Sequence, residues 1–224
     1  MVLLAIDTSG KNGSLALARV MPSQSDLAIL DMVPLTGGTF SAELVPQIAA
    51  LLERYGFRKS DLAGFAVASG PGSFTGLRVG LAAIKALAEI LQKPIAAVSL
   101  LEAVARSGRA RSSVLSVLDA GRGQFYVGTC DHTPPFRMKS ERLLSREDFA
   151  AESRDQVVVT PDAGIAEIAR AQGFKVEVVD YPASTLIARF GWERILRGET
   201  VSPEELEANY IRRSDAEIFS MPKV

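Results

Sequence analysis

The chain has one cysteine, Cys130, and one histidine, His132, among 224 residues. One thiol cannot form an internal disulfide, so the chain fits a reducing compartment. One imidazole excludes a multi-histidine metal centre and an H-E-x-x-H protease. Charge of one sign is missing too: 25 basic residues against 26 acidic ones leave a net charge of −1, so a stand-alone grip on nucleic acid is not expected. No run approaches the roughly 20 apolar residues needed to span a bilayer. The opening Val2–Ile6 lacks the basic flank and length of a signal peptide, and a cytoplasmic protein is expected.

What is present is ordinary globular composition, 47% apolar and 23% charged, enough for one large domain or two small lobes. Val2–Ile6 reads as a buried strand, Asp7-Thr8-Ser9-Gly10 as a turn and Ser14–Val20 as a return strand. A third strand is expected over Asp26–Leu35. A helix follows from an N-cap at Ser41, with Leu44, Val45, Ile48, Leu51, Leu52 and Tyr55 at helical spacing and Pro46 early within it. Leu62–Ala68 and Ile95–Val98 are further strands flanking a long helix that ends near Gln92.

The second half echoes this order. Ser113–Leu118, Asp119-Ala120-Gly121 and Gln124–Thr129 repeat strand, turn and strand; a strand at Phe136–Leu143, two helix-strand alternations and a final helix at Ala183–Leu196 follow. The expectation is an α/β, duplicated two-lobe architecture with mixed sheets flanked by helices. Its lobes are expected at 1–98 and 99–205, with a tail at 206–224.

Gly70–Gly80, G-P-G-S-F-T-G-L-R-V-G, lies between a strand and a helix, where backbone amides can cradle an anion. It fails both phosphate-loop templates. Gly76 is followed by Leu77-Arg78 and not by Lys-Ser/Thr, and it stands four residues after Gly72 where the dinucleotide fingerprint needs three. Gly76 and Gly80 stand one helical turn apart, each costing about 0.8–1 kcal/mol relative to Ala. Another backbone should therefore approach that face, either the chain's own or a partner helix. Asp7 reads as a turn residue or as a carboxylate placed to position a metal or a water near phosphates; Asp119 carries the same ambiguity. Cys130 and His132 share a strand face without a third catalytic member, and His132 is expected in a surface turn beside Thr133-Pro134-Pro135. Arg106, Arg109 and Arg111, like Arg212-Arg213, read as solvated loops or as anion contacts.

Taken together, I-D-T-S at Ile6–Ser9, the Gly70–Gly80 motif, A-A-V-S-L-L-E at Ala96–Glu102, D-A-G-R-G at Asp119–Gly123 and Y-I-R at Tyr210–Arg212 resemble the TsaB (YeaZ) family. Its members serve threonylcarbamoyl modification of adenosine 37 in tRNA. The resemblance implies the actin/Hsp70/sugar-kinase fold and a non-catalytic accessory subunit of a TsaD-like enzyme. A TsaE-like ATPase would join through the complex, a homodimer is an alternative pairing, tRNA would be met only indirectly, and no membrane would be involved. It implies no cofactor of the chain's own, with ATP or ADP only at the partner interface. Where TsaD-like enzymes carry H-x-x-x-H metal ligands, this chain has Leu100 and Val104; where they have a Gly-Gly turn, it has Thr160–Gly164 without the pair.

The implied partner surface is the helix pair matching Ser41–Tyr55 and Phe74–Gln92. It carries Leu44, Val45, Ile48, Leu51, Leu52, Phe74, Gly76, Leu77, Arg78, Gly80, Leu81 and Ile84. Asp7, Thr8, Ser9, Asp119 and Gly121 would be vestiges of nucleotide turns. The competing expectation is an ATP-binding kinase or ATPase using Asp7 and Asp119; a peptidase lacks a visible nucleophile–base pair or zinc site.

Overall fold

The computed structural model describes residues 1–21, 26–110, 113–133 and 136–212. The described residues divide into two compact units, Met1–Ser99 with Pro182–Asn209, and Leu100–Tyr181 with residues 210–212.

In the first unit β1 (Val2–Asp7), β2 (Asn12–Val20) and β3 (Leu27–Thr36) form an antiparallel meander. Then come α1 (Phe40–Arg54), a 3₁₀ turn at Lys59–Asp61, β4 (Leu62–Gly70), α2 (Phe74–Leu91) and β5 (Ile95–Ser99). The sheet order is β3-β2-β1-β4-β5, with β4 and β5 parallel to β1. Central strands buried on both faces read as unbroken apolar runs, which is why β1 shows no alternation. Its two faces differ in size. Val2, Leu4 and Ile6 join Leu15, Leu17, Phe65 and Val67 in one core with α1 and α2. The alternate positions of β2, β4 and β5 are largely alanine, and α6 (Ser184–Leu196) packs on these strands and β1. A Cβ on Gly191 would stand 2.3 Å from the Ala66 Cβ, so this helix approaches at glycine-to-alanine distance.

The placement of α6 corrects the expected boundary. Residues 182–205 were expected in the second lobe and 206–209 in the tail, but all of 182–209 belong with the first sheet. The alanine face of that sheet needs a cover, and α6 supplies it, its Arg194 donating to the Ala97 carbonyl.

The second unit holds α3 (Leu100–Ser107), β6 (Ser113–Gly121), β7 (Gln124–Asp131), β8 (Arg137–Ser145), α4 (Arg146–Ala150), β9 (Val157–Thr160), α5 (Ala163–Ala171) and β10 (Lys175–Val178). Its order, β8-β7-β6-β9-β10, repeats the first sheet strand for strand. The duplicated architecture is present. Two local differences from the sequence reading stand out. Helix α1 begins at Phe40 after Thr39, whose side chain makes no cap and instead donates to the Thr36 carbonyl. And His132 is not in an exposed turn; it is 8% exposed and meets the Phe136 ring edge-on at 5.3 Å.

Candidate functional site

The Asp7–Gly10 turn joins β1 to β2 and is closed on itself. Asp7 Oδ1 accepts from the Ser9 amide at 2.9 Å and from Ser9 Oγ at 2.5 Å. Thr8 Oγ1 donates to the Gly76 carbonyl at 2.7 Å, and the Ser73 amide donates to the Ser9 carbonyl at 2.6 Å. Asp7, Thr8 and Ser9 are each 2% exposed. The first turn of α2 is laid against this turn, and the glycines make room for it. A Cβ would stand 2.4 Å from Ser9 O at Gly72, 2.0 Å from Thr8 O at Gly76 and 2.4 Å from Thr8 Oγ1 at Gly80. The backbone that the glycine spacing calls for is thus the chain's own.

Burial pushes the Asp7 carboxyl above its ordinary pKa of 3.8, and the two Ser9 hydrogen bonds oppose that shift. A raised folded-state value means that folded protein takes up the proton first as pH falls. The Asp7 contribution to stability therefore grows as pH drops through the folded pKa and levels off below 3.8. Asp7→Asn keeps an acceptor for both Ser9 donors and removes the buried charge. It is expected to match or exceed the parent at pH 7, with the gap closing toward pH 4, in urea titrations read by circular dichroism. A clear loss at pH 7 would mean that the carboxylate charge itself is needed.

The equivalent β6–β7 turn is built differently. Asp119 is exposed and accepts from the Gly121 amide at 2.8 Å. Gly121, Arg122 and Gly123 all have positive φ, and Arg212 donates to the Gly121 carbonyl at 3.2 Å and to Gln124 Oε1. The two turns match in topology and differ in burial.

The remaining chemical candidates sit elsewhere. Leu100 and Val104 are fully buried in α3. Asp162 caps α5 by accepting from the Ile165 amide. Arg106 lies over the Phe136 ring and pairs with Glu102 at 3.5 Å; Arg111 and Arg213 lie outside the described residues. Among the described residues no group of three or more His, Cys, Asp or Glu could hold a metal, and no helix is long and apolar enough to cross a membrane. Cys130 is buried against Met138 Sδ at 3.4 Å and Ser116 Oγ at 3.9 Å, and burial pushes its thiol up to about 12. Because the thiolate is the reactive form, Cys130 is expected to resist DTNB at pH 8 in native protein and to react stoichiometrically in urea. Rapid native labelling would contradict the packed environment.

The residues expected to face a partner separate into two sets. Leu44, Ile48, Leu51, Leu52, Gly76, Leu77, Gly80, Leu81 and Ile84 are buried in the core of their own unit, so they hold α1 and α2 in place and do not offer a free surface. A charge at Ile48 or Leu81 would report on folding. Val45 and Arg78 are exposed and Phe74 is half-buried. The Arg78 guanidinium lies 3.8 Å from the Phe74 ring centroid, an exposed cation–π pair. Around them the outward sides of the two helices carry Ala42, Ala49, Ala82, Ala86 and Ile90, with Ile90 78% and Val45 58% exposed. At the heads of both helices opens a cavity of about 460 Å³, lined by Lys11, Gly38, Ser41, Thr75 and Val79 among others. Sequence reasoning missed this cavity; Gly10-Lys11 and Gly37-Gly38 were its only local signals.

Comparison with known proteins agrees with the geometry. Residues 34–170 match the family model described as TsaD, tRNA N6-adenosine threonylcarbamoyltransferase. The tRNA threonylcarbamoyladenosine biosynthesis protein TsaB of Escherichia coli is 30% identical over 96% of both chains. The chain belongs to the TsaB/YeaZ family. The TsaB of Bacillus subtilis is 39% identical over 57% of this chain, a match that spans about half, 54%, of that protein. YeaZ from Pseudomonas aeruginosa superposes with a TM-score of 0.75 at 25% identity, covering 93% of this chain and 99% of that one. The ethanolamine utilization protein EutJ from Carboxydothermus hydrogenoformans, 13% identical with a TM-score of 0.53 over 85% of this chain and 90% of that one, shares the fold alone. The duplicated two-lobe fold of the actin/Hsp70/sugar-kinase class is the one expected from the TsaB/YeaZ resemblance.

Proposed function

We propose that this TsaB/YeaZ chain is an accessory subunit in threonylcarbamoyl transfer to adenosine 37 of tRNA. It docks a TsaD-like transferase on the outward side of α1 and α2 and carries out no chemistry itself. The observation that carries this reading is the row of exposed apolar residues, Val45, Ala82, Ala86 and Ile90, on two helices whose other sides are already spent on the core. Exposed large apolar residues on one face mark interaction surfaces, and small residues let a partner helix approach closely. Support for the non-catalytic part comes from the Asp7 turn, whose donors and acceptors serve Ser9 and Gly76, and from the inert environment of Cys130. The names of the relatives supply the pathway. A TsaE-like ATPase and tRNA would join through the transferase, any nucleotide would sit at the subunit interface, and the same face serves a homodimer when the partner is absent.

The test is co-purification with the TsaD-like protein of the same source, followed by a transfer assay on tRNA. Val45→Asp and Ala82→Glu are expected to weaken binding at least roughly tenfold with unchanged unfolding midpoints. Transfer of threonylcarbamoyl to tRNA by the isolated chain would overturn the non-catalytic reading, and full binding by both variants would move the docking face.

A further inference from the structure

The cavity at the heads of α1 and α2 lies on the same helix faces as the docking row. Along α2, Thr75, Val79, Ala82, Ala86 and Ile90 are spaced by four, three, four and four residues, so they fall on one stripe; the first two line the cavity. Along α1, Ser41, Val45 and Ala49 do the same, and Ser41 lines the cavity. The recess is therefore the upper end of the proposed docking surface and not a separate feature.

Its chemistry is one-sided. Lys11 is the single charged residue in the lining, the other polar side chains there are the hydroxyls of Ser41, Ser73 and Thr75, and no carboxylate lines it. Phe40 and Val79 give it an apolar wall. Gly37 is packed so closely that a Cβ would sit 1.9 Å from the Lys11 carbonyl, which fixes the Lys11 backbone at the cavity rim. A recess with an apolar wall, hydroxyl donors and one cation fits an aliphatic stem ending in a carboxylate. Interfaces concentrate their binding energy where an anchor side chain enters a pocket, and a carboxylate that meets its counter-ion there gains register as well as affinity.

Resting on the docking reading above, we propose that the transferase partner inserts one glutamate or aspartate side chain into this cavity. Its carboxylate pairs with Lys11, and its stem lies against Phe40 and Val79. Lys11 is then the residue that sets the register of the complex, while the alanine-rich row supplies close approach.

The experiment treats the assembled complex with a zero-length carbodiimide and maps the cross-links by mass spectrometry. An isopeptide between Lys11 Nζ and an acidic residue of the transferase is expected, and it is expected to vanish in Lys11→Arg. In parallel, affinity is measured for Lys11→Glu, for Thr75→Trp, which fills the cavity from an exposed position, and for Val45→Asp. Lys11→Glu and Thr75→Trp are each expected to weaken binding roughly tenfold or more without lowering the unfolding midpoint, and Lys11→Arg to retain most of it. If Val45→Asp weakens binding while both cavity variants bind fully and no Lys11 cross-link forms, the anchor is overturned and the docking face stands. If all three bind fully, the docking reading fails and the anchor with it. If inorganic phosphate or ADP raises the unfolding midpoint of the isolated parent but not of Lys11→Glu, the cavity is a small-anion site and the side-chain anchor is overturned.

Discussion

Replacing Gly76 by alanine is expected to lower the unfolding free energy by about 2–4 kcal/mol, although alanine is the better helix former. Helix propensity alone would favour the change by about 1 kcal/mol. Against it stands the Thr8 carbonyl, 2.0 Å from where the new methyl would be. That neighbour is backbone in a turn whose Asp7, Thr8 and Ser9 are held by hydrogen bonds and burial. It cannot swing aside as a flexible side chain would, so either the turn or the head of α2 must move. Overpacking costs of about 1–3 kcal/mol or more are usual, and displacing the turn also breaks the Thr8–Gly76 hydrogen bond, worth about 1 kcal/mol. Gly80→Ala meets the Thr8 hydroxyl at 2.4 Å, a side-chain atom that can rotate, and is expected to cost less. The order Gly76 worse than Gly80 is the discriminating outcome in urea titrations. A Gly76→Ala protein within 0.5 kcal/mol of the parent, by the usual scatter of neutral surface changes, would show that the turn yields freely. Because Gly76 also lines the head cavity, the same substitution is expected to weaken partner docking.

The spacing of Gly76 and Gly80 made a close backbone approach legible, but not its owner. The approaching atom belongs to Thr8, 68 positions earlier in the chain, and no local pattern encodes such a pairing. The order of strands and helices was legible throughout, because buried strands and amphipathic helices have different periods. The position of α6 was not. Neighbouring elements usually pack together, whereas α6 leaves the last strand of one sheet and covers the alanine face of the other. Gly191 was the residue that recorded this, as a helix glycine pressed on Ala66. Most of the residues that periodicity picked on α1 and α2 lie on their buried sides. Periodicity finds Leu44, Ile48, Leu51, Leu81 and Ile84 because a core needs them, and it is blind to an outward row of alanines.

Phe149→Ala is expected to have the largest effect in the second unit, about 3–5 kcal/mol by the usual cost of truncating a buried phenylalanine. Phe149 is fully buried and lies in α4, a helix of five residues that the Ser145 side chain caps by accepting from the Asp148 amide. Too short to persist alone, α4 is held by what its one buried side chain touches. That ring meets Phe125 of β7 edge-on at 5.3 Å and stacks on Phe174 at 5.1 Å. Arg154, whose guanidinium lies 4.0 Å from the Phe174 ring centroid, covers the stack and donates to the carbonyls of Ala150 and Gln172. A strand, a helix and the turn before β10, each about 25 residues from the next, thus share one aromatic cluster, which explains why this stretch looked generic as sequence. Removing the central ring leaves a cavity bounded by Phe125 and Phe174 that the strand on one side cannot collapse to fill. Phe149→Leu keeps most of the volume and is expected to lose about half as much or less. Equal losses for the two substitutions would mean that α4 detaches in both. A loss below about 1 kcal/mol for Phe149→Ala, the typical scale of an average substitution, would show that the cluster does not hold the helix.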